Sequence, residues 1–273
     1  MQTKLQQYFP MLRSREEILR EIDATVKLTE KFYSWREAQR QEFLDFCTGV
    51  RGIKMLYDSF FKEIMNPETV PERLEEFLSI LLNRKVKIVD VLLGDSTRLA
   101  DEQSLLIMDI LVRFEDGTYC NVGTEDWICL SGRAMCVLFL RSVAPPVQKS
   151  PVVFQKYADN YIHTFTQQSD TGLEMDLLQK YIFIPLDIFK ENVENKGIKN
   201  KMDGWLTFLG MDEPEKIIEL INTYPEFREM YEHVYYICRN VGDVMGIFSE
   251  ELRIMNRNTV RYMVDEMQET IDE

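Results

Sequence analysis

The spacing of apolar residues changes twice along this chain, and that change limits its folds more than any other feature. Through about residue 83 apolar side chains recur at helical intervals, one stripe of an amphipathic helix after another. Ser14-x-x-Glu17 is a capping box that opens a helical run through Phe32. Further helical patterns cover about Trp35–Cys47, Gly52–Ile64 and Val70–Leu82, the last with Pro71 near its first turn. The pattern then changes. Lys85–Leu93 (KVKIVDVLL) is rich in β-branched residues, and Ser104–Phe114 (SLLIMDILVRF) reads as a second strand. Asp116-Gly117 supplies a tight turn and Thr118–Val122 begins a third strand, so the spacing predicts an antiparallel hairpin. The final third is helical again. Asp212-x-x-Glu215 reads as a capping box, with Pro214 in the first turn of a helix to about Tyr224. Pro225 starts the next, ending near Asn240–Gly242, and Asp243–Met255 and Asn258–Ile271 follow. This order predicts an α+β fold, a small mixed β-sheet flanked by helices, with a helical C-terminal region from about residue 196.

With 273 residues the chain can bury a core of one or two domains, and 45% apolar with 29% charged residues is the composition of a folded protein. No apolar run is long enough to span a bilayer, and the first residues lack the apolar core of a secretory signal. A cytoplasmic protein without membrane contact is therefore expected. Cys47, Cys120, Cys129, Cys136 and Cys238 are scattered and never spaced C-x-x-C, which argues for thiols of a reducing compartment and against structural zinc. The net charge of −14 opposes a large nucleic-acid surface, although a local groove can carry the other sign. The sequence contains no Walker loop, Rossmann fingerprint, nucleophile elbow or internal repeat.

Asp109 is the residue that points to chemistry. By the period-two rule it shares a strand face with Leu105, Ile107 and Leu111, where an ionised carboxylate is costly unless a cation or hydrogen-bond donors compensate it. Mg²⁺ is a natural compensator, being held by one or two carboxylates plus waters and phosphate. A solvated or salt-bridged Asp109 at a sheet margin accounts for the pattern equally well. A metal-dependent nuclease needs a second acid on the neighbouring strand, a few positions beyond Asn121, to share the ion that activates water.

Several stretches together carry a resemblance. They are D-x-x-F-K at Asp58–Lys62, L-L-N-R-K-V-K-I-V-D-V at Leu81–Val91 and M-D-I-L-V-R-F-E-D-G-T-Y-C-N-V at Met108–Val122. W-L-T-F-L at Trp205–Leu209, I-I-E-L-I-N-T-Y-P-E-F at Ile217–Phe227 and R-N-T-V-R-Y-M-V-D-E-M at Arg257–Met267 continue it. The chain resembles the bacterial PD-(D/E)XK transposase nucleases, the recombination-promoting nuclease group, over roughly residues 1–122 and 150–273. The resemblance implies a restriction-endonuclease-like core within residues 1–195, a helical region over 196–273, and Mg²⁺-dependent cleavage of DNA during transposition or recombination of a mobile element. It implies that Asp109 binds the metal and that Asp58 faces the active site.

The family follows its hairpin aspartate with N-[IV]-E-x-Q, whereas this chain reads Asn121-Val122-Gly123-Thr124-Glu125. Gly123 stands at the catalytic Glu position, and Glu125, two residues on, is the candidate surrogate. Residues 123–149 lack clean periodicity, and Pro145-Pro146 would break the helix that the family places there. A frame slip accounts for this break. Back-translated and read one base later, the codons from Gly123 yield V-Q-K-I-G-Y-A-F-P, a family-like run; the Trp127 codon forces Gly and the Met135 codon forces Cys. On this hypothesis a core strand of the family is lost, and resequencing codons 118–155 in all three frames decides it.

Other candidates have plainer readings. Asp58 and Lys62 are also spaced as a helical ion pair. Asp101, Glu102 and Asp126 read as loop acids, and His163 and His233 as satisfied histidines in apolar or aromatic surroundings. The expected function is a DNA endonuclease whose catalysis is impaired in this copy. The alternative is a non-catalytic helical interaction protein that pairs with itself, as a homo-oligomer, or with intact relatives of the same family.

Overall fold

The Ser14 hydroxyl accepts from the Glu17 N–H at 3.3 Å and the Glu17 carboxylate accepts from the Ser14 N–H at 2.8 Å, so the first capping box forms. The Ser14 hydroxyl also donates to the Glu17 carboxylate at 2.7 Å, and that bond first, with the Ser14 N–H second, holds the Glu17 carboxyl below its ordinary pKa. The coordinates are a computed structural model that describes residues 2–56, 58–92, 110–123, 134–140, 152–166, 179–249 and 252–253. The chain divides into two units, Met1–Phe60 with Thr207–Glu273, and Phe61–Leu206.

The first unit is helical. Its N-terminal part holds α1 (Lys4–Tyr8), α2 (Arg15–Asp23), α3 (Val26–Ser34) and α4 (Glu37–Thr48). The run that the sequence joins through Phe32 is thus two helices. Thr25 turns extended between them, and Thr29 Oγ1 donates to the Ile22 carbonyl at 2.9 Å across the break. The apolar stripe continues through the break, which is why periodicity does not register it. Gly49 ends α4 at φ 71°, where a Cβ would lie 2.6 Å from Leu12 Cδ1. The helix expected over Gly52–Ile64 is confined to α5 (Asp58–Ile64). Gly52 is drawn instead against Asp212, donating its N–H to the Asp212 carbonyl at 2.7 Å.

Beyond α9 (Lys201–Gly210) come α10 (Pro214–Thr223), α11 (Phe227–Ile237) and a helical stretch over 241–249. The capping box read at Asp212 does not form. Glu213 is the N-cap, with no side-chain cap bond, and Asp212 serves Gly52 with its carbonyl and Arg51 with its carboxylate at 3.7 Å. The unit's core is aromatic. Trp35 lies 5.4 Å from Phe43 and 5.1 Å from Phe248, Phe46 lies 5.5 Å from Phe248, and Phe9 lies 4.9 Å from Tyr235. Each such ring removed from water contributes about 1.5–3 kcal/mol, so the aromatic contacts tie the first and last parts of the chain together.

The second unit is built on a mixed sheet. Its strands are β1 (Ile88–Leu92), β2 (Ile110–Phe114), β3 (Tyr119–Gly123), β4 (Ala134–Leu140), β5 (His163–Thr166) and β6 (Gln179–Pro185), in the order β1-β2-β3-β4-β6-β5. β1, β2 and β3 are antiparallel neighbours, β3–β4 and β4–β6 are parallel, and β5 returns antiparallel to β6. Helices α6 (Pro71–Leu81), α7 (Val152–Gln155) and α8 (Leu186–Lys196) accompany it. Pro71 sits in the first turn of α6, and Asn83, at φ 49°, follows its end. Ser79 and Glu75 of α6 accept from the Val86 and Ile88 backbone N–H groups, both at 2.9 Å, fastening the helix to the first strand. Val112, Phe114, Cys120, Val122, Val137, Ile182 and Ile184 form the fully buried apolar positions of the sheet.

The α+β class and the mixed sheet are as the order of periods predicts. The hairpin forms around Asp116-Gly117, with Ile110 opposite Val122 and Arg113 opposite Tyr119. β4 is the departure. It arises inside 123–149, where the sequence offered no clean period and the frame-slip hypothesis removed a core strand. Ala-Met-Cys-Val-Leu-Phe-Leu is a continuous apolar run, the pattern of a strand with parallel neighbours on both sides, and alternation does not detect such a strand.

Candidate functional site

The β2–β3 hairpin carries the candidate chemistry, and its turn is fixed locally. Gly117 takes φ 81°, which only glycine adopts without strain, and its N–H donates to the Phe114 carbonyl at 3.0 Å. Asp116 Oδ1 accepts from the Thr118 N–H at 2.9 Å, and its other oxygen accepts from Arg84 at 2.5 Å. These bonds, Arg84 first, pull the Asp116 carboxyl down to about 2.

The ladder places the residues by face. Asp90 lies opposite Arg113 and Leu92 opposite Leu111 in the β1–β2 pair, and Leu111 lies opposite Asn121 in the hairpin. Asn121 in turn pairs with Cys136, and Gly123 with Leu138, in the parallel β3–β4 pair. Asn121 and Gly123 therefore share one face of a strand with neighbours on both sides. At the margin of that face Arg113 binds the Asp90 carboxylate at 3.3 Å.

Asn121 is the functional candidate that sequence reasoning did not single out. It is 1% exposed, and its Oδ1 has no hydrogen-bond partner among the described residues. The signal was an amide side chain between Cys120 and Val122, both fully buried. A polar group in an apolar strand is costly unless something compensates it, which is the argument that selected Asp109.

Asp109 and Glu125 lie outside the described residues, as do Asp101, Glu102 and Asp126. Asp109 immediately precedes β2 in the sequence, and Glu125 is two positions past the end of β3. Asp58 is the first residue of α5. Gly123, at the end of β3, brings no side chain to the position where the second acid is expected. Among the described residues no group of three or more His, Cys, Asp or Glu side chains is placed to hold a metal ion. His163 opens β5 with Nε2 3.1 Å from the Asn160 carbonyl oxygen and its ring 5.0 Å from Phe154. Cys47, Cys120 and Cys238 are buried and form no disulfide among the described residues, and burial raises the pKa of Cys47 and Cys238.

The first unit has a cleft of about 320 Å³ beside α4, with Phe46, Ile53 and Phe60 among its lining. Of its charged lining residues, Lys54 pairs with Glu42 at 2.5 Å, Arg51 with Asp212 at 3.7 Å, and Asp45 accepts from Gln41 at 2.5 Å. No described helix is long and apolar enough to cross a membrane. Comparison with protein-family models, with curated proteins and with solved structures finds no match to this chain.

Proposed function

We propose that this chain is a PD-(D/E)XK-type, Mg²⁺-dependent DNA endonuclease of a mobile element, with cleavage severely reduced in this copy. The observation that carries the reading is the hairpin. It brings positions 121–123 into a mixed sheet directly after the Asp-Gly turn, and a glycine stands where the second acid is required. A restriction-endonuclease-like core is part of the proposal, and the mixed sheet with flanking helices is compatible with it. Asp109 would hold the ion and Glu125 is the surrogate acid to test; Asp58, the first residue of α5, is the further acid that the resemblance points to. The orphaned Asn121 oxygen fits such an ion, because Mg²⁺ prefers oxygen donors. When bound, Mg²⁺ polarises the scissile phosphate and activates water.

One carboxylate positions the ion less well than two. A lost ligand worth several kcal/mol lowers the rate on the order of 10³-fold. The test is Mg²⁺-dependent nicking of supercoiled plasmid by the purified chain, by Gly123→Glu and by Glu125→Ala. The expected outcome is little or no cutting by the natural chain and a gain of at least about 10²-fold in Gly123→Glu. Efficient cutting by the natural chain that Asp109→Ala abolishes would overturn the impairment. Absence of cutting by Gly123→Glu would count against the nuclease reading itself.

A further inference from the structure

We propose that the cleft beside α4 binds a free α-amino acid with an apolar side chain, Asp45 taking its ammonium group and Arg51 its carboxylate. The site is separate from the nuclease reading above and does not depend on it. The cleft exists because the chain leaves the helical path expected of it after Gly52. Gly52 is pressed against Asp212: its N–H donates to the Asp212 carbonyl at 2.7 Å, and an added Cβ would lie 2.3 Å from Ile217 Cδ1. Residues 51–54 thereby run beside α4 instead of continuing a helix, and a space of about 320 Å³ opens between the two. That volume is at the small end of the range of pockets that hold small molecules, roughly 300–1,000 Å³.

Three features of the lining select the ligand. Phe46, Ile53 and Phe60 are apolar and buried, with the two rings 6.1 Å apart, and suit an apolar side chain. Asp45 and Arg51 supply opposite charges from adjacent points of the backbone, since the Arg51 N–H donates to the Asp45 carbonyl at 3.1 Å. Neither charge is satisfied within the protein. The Asp45 carboxylate accepts from the neutral Gln41 amide at 2.5 Å and has no cationic partner among the described residues. The Arg51 side chain is 55% exposed, and its guanidinium has only the Asp212 carboxylate at 3.7 Å, beyond hydrogen-bond length, among the described residues. By contrast Lys54 and Glu42, also in the lining, neutralise one another at 2.5 Å. An ammonium and a carboxylate on one carbon match an acid and a base that rise side by side, and a guanidinium receives a carboxylate through two parallel hydrogen bonds. A ligand with a single charge leaves one of the two unmatched, and a peptide holds its two charged ends apart.

The test is isothermal titration calorimetry of the full chain with leucine, methionine, phenylalanine, glycine, aspartate and lysine. Two further ligands are leucine methyl ester, which lacks the carboxylate, and N-acetyl-leucine, which lacks the ammonium. At least one apolar amino acid is expected to bind with a Kd below about 1 mM, and glycine, aspartate and lysine about 10-fold or more weakly than it. The ester and the N-acetyl derivative are each expected to bind about 10-fold or more weakly than leucine. Asp45→Asn and Arg51→Gln are expected to lose about 10-fold or more in affinity, with ligand-free unfolding temperatures equal to that of the natural chain. The bound amino acid is expected to raise the unfolding temperature of the natural chain. No saturable binding of any amino acid up to about 10 mM overturns the proposal. Binding of the ester or the N-acetyl derivative as tight as that of leucine refutes recognition of both charges, whatever the variants do. Unchanged affinity in both variants removes the site from this cleft. None of these readouts involves DNA or a metal ion, so their failure leaves the nuclease reading standing.

Discussion

The hydroxyls of Tyr231 and Tyr235 are buried without a hydrogen-bond partner among the described residues, in rings stacked 6.4 Å apart. Burial raises both phenol pKa values, so both groups stay neutral and each still bears the cost of an unmet hydrogen bond. Tyr231→Phe and Tyr235→Phe are each expected to leave stability unchanged or raise it by about 1 kcal/mol, read from the midpoint of urea unfolding. Asp116 gives a pH-dependent counterpart. Its folded pKa of about 2 lies below the ordinary aspartate value of 3.8, so its contribution is present above about pH 4 and is lost as pH falls toward 2. Both partners are over 40% exposed, which limits that contribution to under about 1 kcal/mol. Arg84→Ala is expected to move the Asp116 carboxyl back toward its ordinary value in an NMR titration. The Asp-Gly turn was legible in the sequence because its bonds are local. The orphaned state of Asn121 was not, because it depends on what two neighbouring strands bring to one face.

At the scale of elements, the end of α4 is held by a glycine that has no substitute. Gly49 takes φ 71°, and an added Cβ would meet Leu12 at 2.6 Å and Leu5 at 3.1 Å. Gly49→Ala is expected to lower stability by about 1–3 kcal/mol in thermal or urea unfolding, through backbone strain and overpacking together. A value near zero would mean that α1 and the segment at Leu12 yield to the methyl group. The elements also separate what periodicity can read from what it cannot. α6 and the hairpin follow their patterns within a few residues, because caps, turns and alternation are short-range. The division between α2 and α3 does not, because the apolar stripe runs on through a local break at Thr25; the unformed Asp212 capping box and β4 do not, because each is decided by a partner distant in sequence, Asp212 by Gly52 and β4 by β3 and β6.

For the whole molecule, the consequential fact is that residues 1–60 share a unit with 207–273. The rings of Trp35, Phe43 and Phe46 lie within 6 Å of Phe248, and Gly52 donates to Asp212. Truncation after Leu206 is therefore expected to abolish amide-exchange protection in α2, α3 and α4. Protection in the Phe61–Leu206 unit should persist, as read by hydrogen exchange with mass spectrometry. Protected N-terminal helices in the truncated chain would contradict the shared core. The sequence by itself determined the class of fold, the hairpin and its turn, and the helical nature of the N-terminal part and of residues 201–249, since periodicity, capping and turn chemistry act over a few residues; the helix read over Asn258–Ile271 lies outside the described residues. Only the tertiary structure decided that the two ends form one core, that an apolar run without alternation enters the sheet as β4, and that Asn121 is left without a partner. Those outcomes depend on contacts between residues far apart in the chain, and local pattern carries no record of which distant surfaces meet.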